Sequence, residues 1–190
     1  MDAPTDLFTA ISLAGAVFAV TFALVFAVSL VISARRRRVA LAKLADAAGL
    51  AGARWRETAF ELGEIRAFAA SEEGRAAKPV LDQLARLSTP PHPHILLCAP
   101  DLHPPARLRA SLDQMRAFLS VDPVGEARRR IHAHFAPDLV RAAREGAVLE
   151  FDDASRRALD ANLVRLIEAA SGFADQAEQV RGVLRPVRKR

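Results

Sequence analysis

From Leu7 to Ala34 the chain runs 28 residues without a charge. Alanine, valine, leucine, isoleucine and phenylalanine fill most of it. A hydrocarbon core of ~30 Å is crossed by ~20 helical residues, so the run is long enough to span a bilayer. In lipid a single segment must satisfy its own backbone hydrogen bonds, which only a helix does. Thr9, Ser12, Thr21, Ser29 and Ser33 fit such a helix because hydroxyls bond back to the preceding turn. A cleavable signal peptide would have a basic start and an apolar run of ~7–15 residues. Here the start, Met1 to Asp6, is acidic and the run is far longer, so the expectation is an uncleaved, single-pass signal anchor.

Arg35, Arg36, Arg37 and Arg38 follow the run directly, while only Asp2 and Asp6 carry charge before it. Basic residues stay on the cytoplasmic side. The expectation is therefore an inner (plasma) membrane protein with residues 1–6 outside, 7–34 spanning, and 35–190 in the cytoplasm. The four arginines also suit contact with anionic headgroups at the membrane surface. The single cysteine, Cys98, forms no intrachain disulfide and fits a reducing compartment. Gly15, Ala19, Ala23 and Ala27 recur every fourth residue, with Phe18, Phe22 and Phe26 in a parallel row. A small-residue ridge lets helices approach closely in lipid, so lateral pairing is one reading. The other is that alanine is simply common in this chain.

The net charge of +5 is concentrated at two edges. Arg35–Arg38 is one, and Arg185, Arg188, Lys189 and Arg190 are the other. Between residues 39 and 184 stand 19 basic and 20 acidic side chains. That balance argues against a nucleic-acid partner, which needs basic surface spread over the domain. The tail, 185–190, reads either as a solubilising end or as a segment folding back to the same leaflet.

Past the arginines the pattern is helical. Leu41, Leu44, Ala48, Ala51, Trp55, Thr58, Leu62, Ile65 and Ala69 keep 3-4 spacing, the seam of a coiled coil or helix bundle. Gly49 and Gly52 weaken its middle, leaving a hinge near Gly49 or a continuous rod as alternatives. Residues 35–52 are expected to form a basic juxtamembrane helix or hinge. Residues 53–184 are expected to form a cytoplasmic helical domain. Phe60 and Phe68 lie off the seam, which suggests a broad buried face. A second helix is expected from Pro79, with Val80, Leu81, Leu84 and Leu87 inward, ending before Pro90.

Six of the eleven prolines fall in 90–105, so a proline-rich loop, 88–105, is expected without helix. His94 to Ala99 within it reads as a short buried strand or a loop plugged into the core. A third helix is expected from about Pro105 to Leu119. Asp122-Pro123 reads as an N-cap with proline at the first turn of a fourth helix, kinked or restarted at Pro137 and stopped at Gly146. The last helix is capped by Asp152 or Asp153. Leu159, Leu163, Leu166, Ala170, Phe173, Ala177, Val180 and Leu184 keep one seam that needs a long apolar partner. The fold class expected is all-α: one transmembrane helix, then a helical bundle with long coiled-coil-like helices.

His92, His94, Cys98 and His103 share the proline-rich stretch, and imidazole and thiolate are good ligands for zinc, copper or nickel. In an extended segment His92 and His94 would point the same way. His132 and His134, on a helix, diverge by ~200°. The plainer reading makes the histidines exposed loop residues and Cys98 a small buried apolar one. Asp152-Asp153 could hold a cation, but carboxylates there also cap a helix. Glu57, Glu61 and Glu64 read as a solvated face. No P-loop, G-x-S-x-G, G-x-G-x-x-G or H-E-x-x-H is present, and no cofactor is expected.

The function expected is a membrane-anchored helical interaction module: a scaffold, accessory subunit or regulator. Its partners would be the bilayer and another protein or a second copy of itself. Helix–helix contact is assigned to Gly15, Ala19, Ala23 and Ala27 in the membrane, and to Leu159, Leu163, Leu166 and Phe173 outside it. One alternative is a tethered metal or small-ligand sensor using 90–105. The other is an enzyme on a membrane-associated substrate, which calls for a deep polar pocket with pKa-shifted groups.

Overall fold

The computed structural model describes the backbone of residues 3–185 and the side chains of residues 18–185. It is all-helical, with no strands among the described residues. The helices are α1 (Ala3–Ala70), α2 (Ala77–Arg86), the one-turn α3 (His94–Leu97), α4 (Ala106–Val121), α5 (Pro123–Glu145) and α6 (Asp153–Leu184). Two compact units divide the chain, Met1–Leu41 and Ala42–Arg190.

In the first unit, every described side chain from Phe18 to Val39 is exposed. Ala19, Ala23 and Ala27 are among them, and Gly15 lies outside the residues whose surroundings are described. The phenylalanine row stacks along the helix, with Phe18–Phe22 and Phe22–Phe26 centroids each 6.4 Å apart.

The second unit has a closed core. Leu44, Ala48, Ala51, Trp55, Thr58, Leu62 and Ile65 are buried, so the 3-4 seam of α1 faces inward. The Thr58 hydroxyl donates to the Arg54 carbonyl at 3.1 Å and so enters the core with its proton partnered. The helix passes through Gly49 and Gly52 unbroken. At Gly52 a Cβ would lie 3.1 Å from the Ala174 carbonyl oxygen and 3.1 Å from the Ala177 methyl. The glycine is therefore the crossing point of α1 and α6, where backbones approach too closely for a larger residue. Phe60 departs from expectation: it is 68% exposed, so the broad buried face does not include it, while Phe68 is half-buried.

An aromatic cluster joins α1, α4 and α6. Trp55 meets Phe118 edge-on at 4.8 Å and Phe173 at 5.6 Å, and Phe118 stacks on Phe173 at 4.7 Å. Such pairs contribute about 0.5–1.5 kcal/mol each beyond their burial. Leu112, Met115 and Leu119 of α4 fill the same core.

The helix ends follow local chemistry. Asp122 caps α5, its carboxylate accepting from the Gly125 N–H at 3.1 Å, and Pro123 opens the helix. Pro137 neither ends nor restarts α5, which runs on to Glu145. Gly146 stops it with φ +65°, a left-handed conformation that glycine adopts without a Cβ penalty. Asp152, rather than Asp153, caps α6, accepting from the Ser155 N–H at 2.7 Å.

Two arginines close the C-terminal ends of other helices. Arg156 donates to the Ala69 and Ser71 carbonyls at 3.1 and 3.3 Å. Arg128 donates to the Leu87 carbonyl at 2.7 Å. The Ala77 N–H to Leu149 and Phe151 N–H to Arg75 hydrogen bonds tie the α1–α2 connection to the α5–α6 connection.

The proline-rich stretch corrects the sequence expectation. His94–Leu97 is a helical turn and Ala99–Leu102 a 3-10 turn, so the stretch holds no strand and is not wholly loop, while residues 87–93 and 103–105 are irregular as expected. Pro93 precedes the first turn and Pro100 sits in the opening of the second, while Pro90, Pro91, Pro104 and Pro105 lie in irregular backbone, so no missing N–H breaks a helical bond. Leu96 and Ala99 are buried beneath them. Pro79 is the third residue of α2, which begins at Ala77.

Candidate functional site

Three regions outside the core have chemistry to offer. The first is the apolar helix surface from Phe18 to Ile32. Phe22, Leu24, Val25, Phe26, Leu30 and Val31 are all more than half exposed. It is one helix long and apolar enough to cross a membrane, by length and composition. Arg35, Arg36, Arg37 and Arg38 follow it, all exposed. The residues of the tail beyond Arg185 lie outside the described residues; Arg185 itself reaches Asp46 at 3.4 Å.

The second region is the seam of α6. Leu159, Leu163 and Phe173 are buried and Leu166 is half-buried. Residues of α1 and α4 cover this seam, so the long apolar partner that it requires is found within the chain. Exposed apolar surface on the second unit lies elsewhere. On the outer face of α1, Leu50 is 59% exposed and Phe60 lies beyond it. Glu57, Glu61 and Glu64 share that face, exposed and without an ion pair among the described residues.

The third region comprises two clefts beside α6. One, of about 700 Å³, lies between the end of α1 and the start of α6, and is lined by Arg66, Ala69, Arg156, Arg157 and Asp160 among others. Arg66 grips Asp160 through two bonds of 2.6 and 3.3 Å. The hydrogen bond, and then the charge, holds the Arg66 guanidinium above its usual value and the Asp160 carboxyl below the usual carboxylate range. Asp152 is also held low, first by its bonds to Ser155 at the helix cap. These shifts follow from an exposed ion pair and a cap. Every arginine in the cleft that has a bond is bonded to Asp160 or to a backbone carbonyl.

The other cleft, of about 380 Å³, lies between α5 and α6. Its floor is apolar: Ala127, Ile131, Phe135, Ala158 and Leu159. One rim is the row Glu126, Arg130, His134, spaced at four residues along α5, and the other holds Ser155 and Asn162 of α6. Arg130 pairs with Glu126 at 2.5 Å, and the His134 ring stands edge-on to Phe135 at 4.8 Å. The four-residue spacing of Glu126, Arg130 and His134 is visible in the sequence, and the row becomes a rim once α6 lies beside it.

The candidate histidine–cysteine set is not assembled as a group. His94 and Cys98 lie on consecutive turns, with Sγ 3.6 Å from Nδ1. Because His94 begins a helix, it does not share an extended strand with His92. His103 instead lines a small hollow with Arg109 and Asp113. Among the described residues no three His, Cys, Asp or Glu side chains gather closely enough to hold a metal ion. Comparison with protein families, curated proteins and solved structures finds no match to this chain.

Proposed function

We propose that this chain is a single-span membrane protein whose second unit is a helical interaction module on the cytoplasmic side. One observation carries the reading: no described side chain between Phe18 and Val39 is covered by protein. Fully exposing a Val, Leu, Ile or Phe side chain to water forgoes ~1.5–3 kcal/mol. A row of such residues is stable in lipid, where the same surface is solvated by hydrocarbon. Arg35–Arg38 supports the inward orientation through the positive-inside rule.

Support for an interaction role comes from the outer face of α1. Leu50 and Phe60 stand exposed beside three glutamates that the chain leaves without ion pairs. A partner contact is placed there rather than on α6, whose apolar seam the chain covers itself. The test has two parts. Carbonate-washed membranes should retain the full chain, and protease added outside intact cells should leave the second unit whole. Crosslinking in native membranes through a photoreactive residue at Phe60 should then capture a partner protein, or a second copy, that is lost on Glu57→Lys/Glu61→Lys. Recovery of the chain in the soluble fraction refutes the anchor. A Phe60 probe that captures nothing in membranes that hold the chain refutes the interaction face.

A further inference from the structure

The groove between α5 and α6 has a composition that the interaction reading does not use. Its floor is hydrocarbon, yet its α5 rim carries charge, and Val121 at one end stands 55% exposed with no cover. The groove follows α5 from Pro123 to Phe135, about 18 Å of helix at 1.5 Å per residue. At about 380 Å³ it is narrow and long. That is near the small end of the ~300–1,000 Å³ seen for ligand pockets, which suits one chain rather than a bulky ring system or a two-chain lipid.

The rim decides which headgroup fits. Arg130 donates one hydrogen bond, from Nη2, to Glu126. A guanidinium has five N–H donors, so most of its donor capacity still faces outward. Four residues on, His134 lines the same rim, and Ser155 lines the opposite one on α6. Glu126 and Arg130 cancel in charge, so what the pair offers outward is the guanidinium's remaining N–H groups. Arg130 is the one arginine or lysine among the residues lining the groove, and its remaining N–H groups suit a carboxylate, which accepts from a guanidinium with charge-assisted bonds.

We propose that the α5–α6 groove binds a single-chain carboxylic acid, its hydrocarbon along Ile131, Phe135 and Leu159 and its carboxylate at Arg130 and His134. The site is independent of the anchor and of the α1 face.

The test uses the full chain in lipid nanodiscs with a dodecanoate analogue carrying a diazirine at the chain end. After illumination, labelled peptides are mapped by mass spectrometry. Label is expected within 121–135 or 155–162, displaced by excess dodecanoate. Dodecanol, which has the chain without the carboxylate, should displace it about tenfold less well, the factor for losing a hydrogen bond to a charged group. Ala158→Trp, an exposed position on the floor, should remove the label, and Arg130→Gln should weaken binding about tenfold with helicity unchanged by circular dichroism. Label confined to 18–34, equal displacement by dodecanol, or wild-type affinity in Arg130→Gln would each overturn the proposal.

Discussion

Residues 18–38 and residues 44–69 are both helical and both rich in alanine, leucine and phenylalanine, yet they treat those side chains in opposite ways. In the first stretch Phe22 is 63% exposed and Val25 58%. In the second Trp55 is 1% exposed and Leu44 and Leu62 are sealed off. The difference lies in arrangement. The first stretch is apolar on every side until its arginines, so no single protein face can cover it. The second confines its apolar residues to one stripe and gives the rest to Asp46, Arg54, Glu57, Glu61 and Glu64. A stripe folds against other helices in water, whereas a helix apolar all round needs an apolar solvent.

Substitutions that should be felt in one stretch and ignored in the other sharpen this contrast. The largest effect is expected from Trp55→Ala, which empties the meeting point of three helices. It should lower the unfolding free energy of the second unit by about 3–5 kcal/mol in urea titrations followed by far-ultraviolet circular dichroism. Val25→Ala should leave that transition unmoved. Next comes Val25→Asp, which places a charge in the uncharged run at about 2.5–3.5 kcal/mol of insertion free energy. The fraction of chain resisting carbonate extraction should fall, whereas Ala53→Asp on the outer face of α1 should not change it.

Gly52→Leu is expected to cost about 1–3 kcal/mol by forcing α1 and α6 apart at their crossing. The paired control is Gly172→Leu in α6, where a Cβ would meet nothing within 4 Å; its transition should not move downwards. The smallest effect is in acid. Asp152 and Asp160 are held below their ordinary pKa of 3.8, so the folded state binds fewer protons than the unfolded one in that range. Their stabilisation is present above pH about 3.8 and is lost as pH falls through the lowered folded values. Both groups lie at the surface, so the loss should be slight, and Asp152→Asn/Asp160→Asn should flatten the acid limb of the pH–stability curve.

Much of this arrangement was legible from residue spacing. The caps at Asp122 and Asp152 and the stop at Gly146 are local chemistry, decided within four residues, and they are found in place. The α1 seam from Leu44 to Ile65 was readable because a stripe has a period. What was not readable depended on distant residues. Whether α6 is covered by its own chain turns on Trp55 and Phe118 meeting Phe173, across more than fifty residues of sequence on either side. Gly52 looked like a weak point because its value lies in Ala174 and Ala177, which no local pattern links to it.

The proline-rich stretch misled for a different reason. Proline density argues against helix interiors but not against single turns with a proline at or just before the opening position, and His94–Leu97 after Pro93 and Ala99–Leu102 with Pro100 are such turns. Phe60 was assigned to a buried face on hydrophobicity alone, and side-chain direction placed it outside. The α5–α6 groove needs two helices side by side before its rims exist, so only the row Glu126, Arg130, His134 was open to a reader of the sequence.

The most direct test compares the surroundings of Val25 and Leu50 in one sample. With Cys98 changed to serine, a nitroxide is attached at a cysteine placed at each position in turn, and the full chain is reconstituted into lipid vesicles. Relaxation by oxygen, which concentrates in hydrocarbon, is then weighed against relaxation by a water-soluble nickel chelate. The expected result is oxygen-dominated relaxation at 25 and nickel-dominated relaxation at 50. Nickel access at both positions would mean that the exposed apolar helix is met by water, and the membrane reading would be wrong.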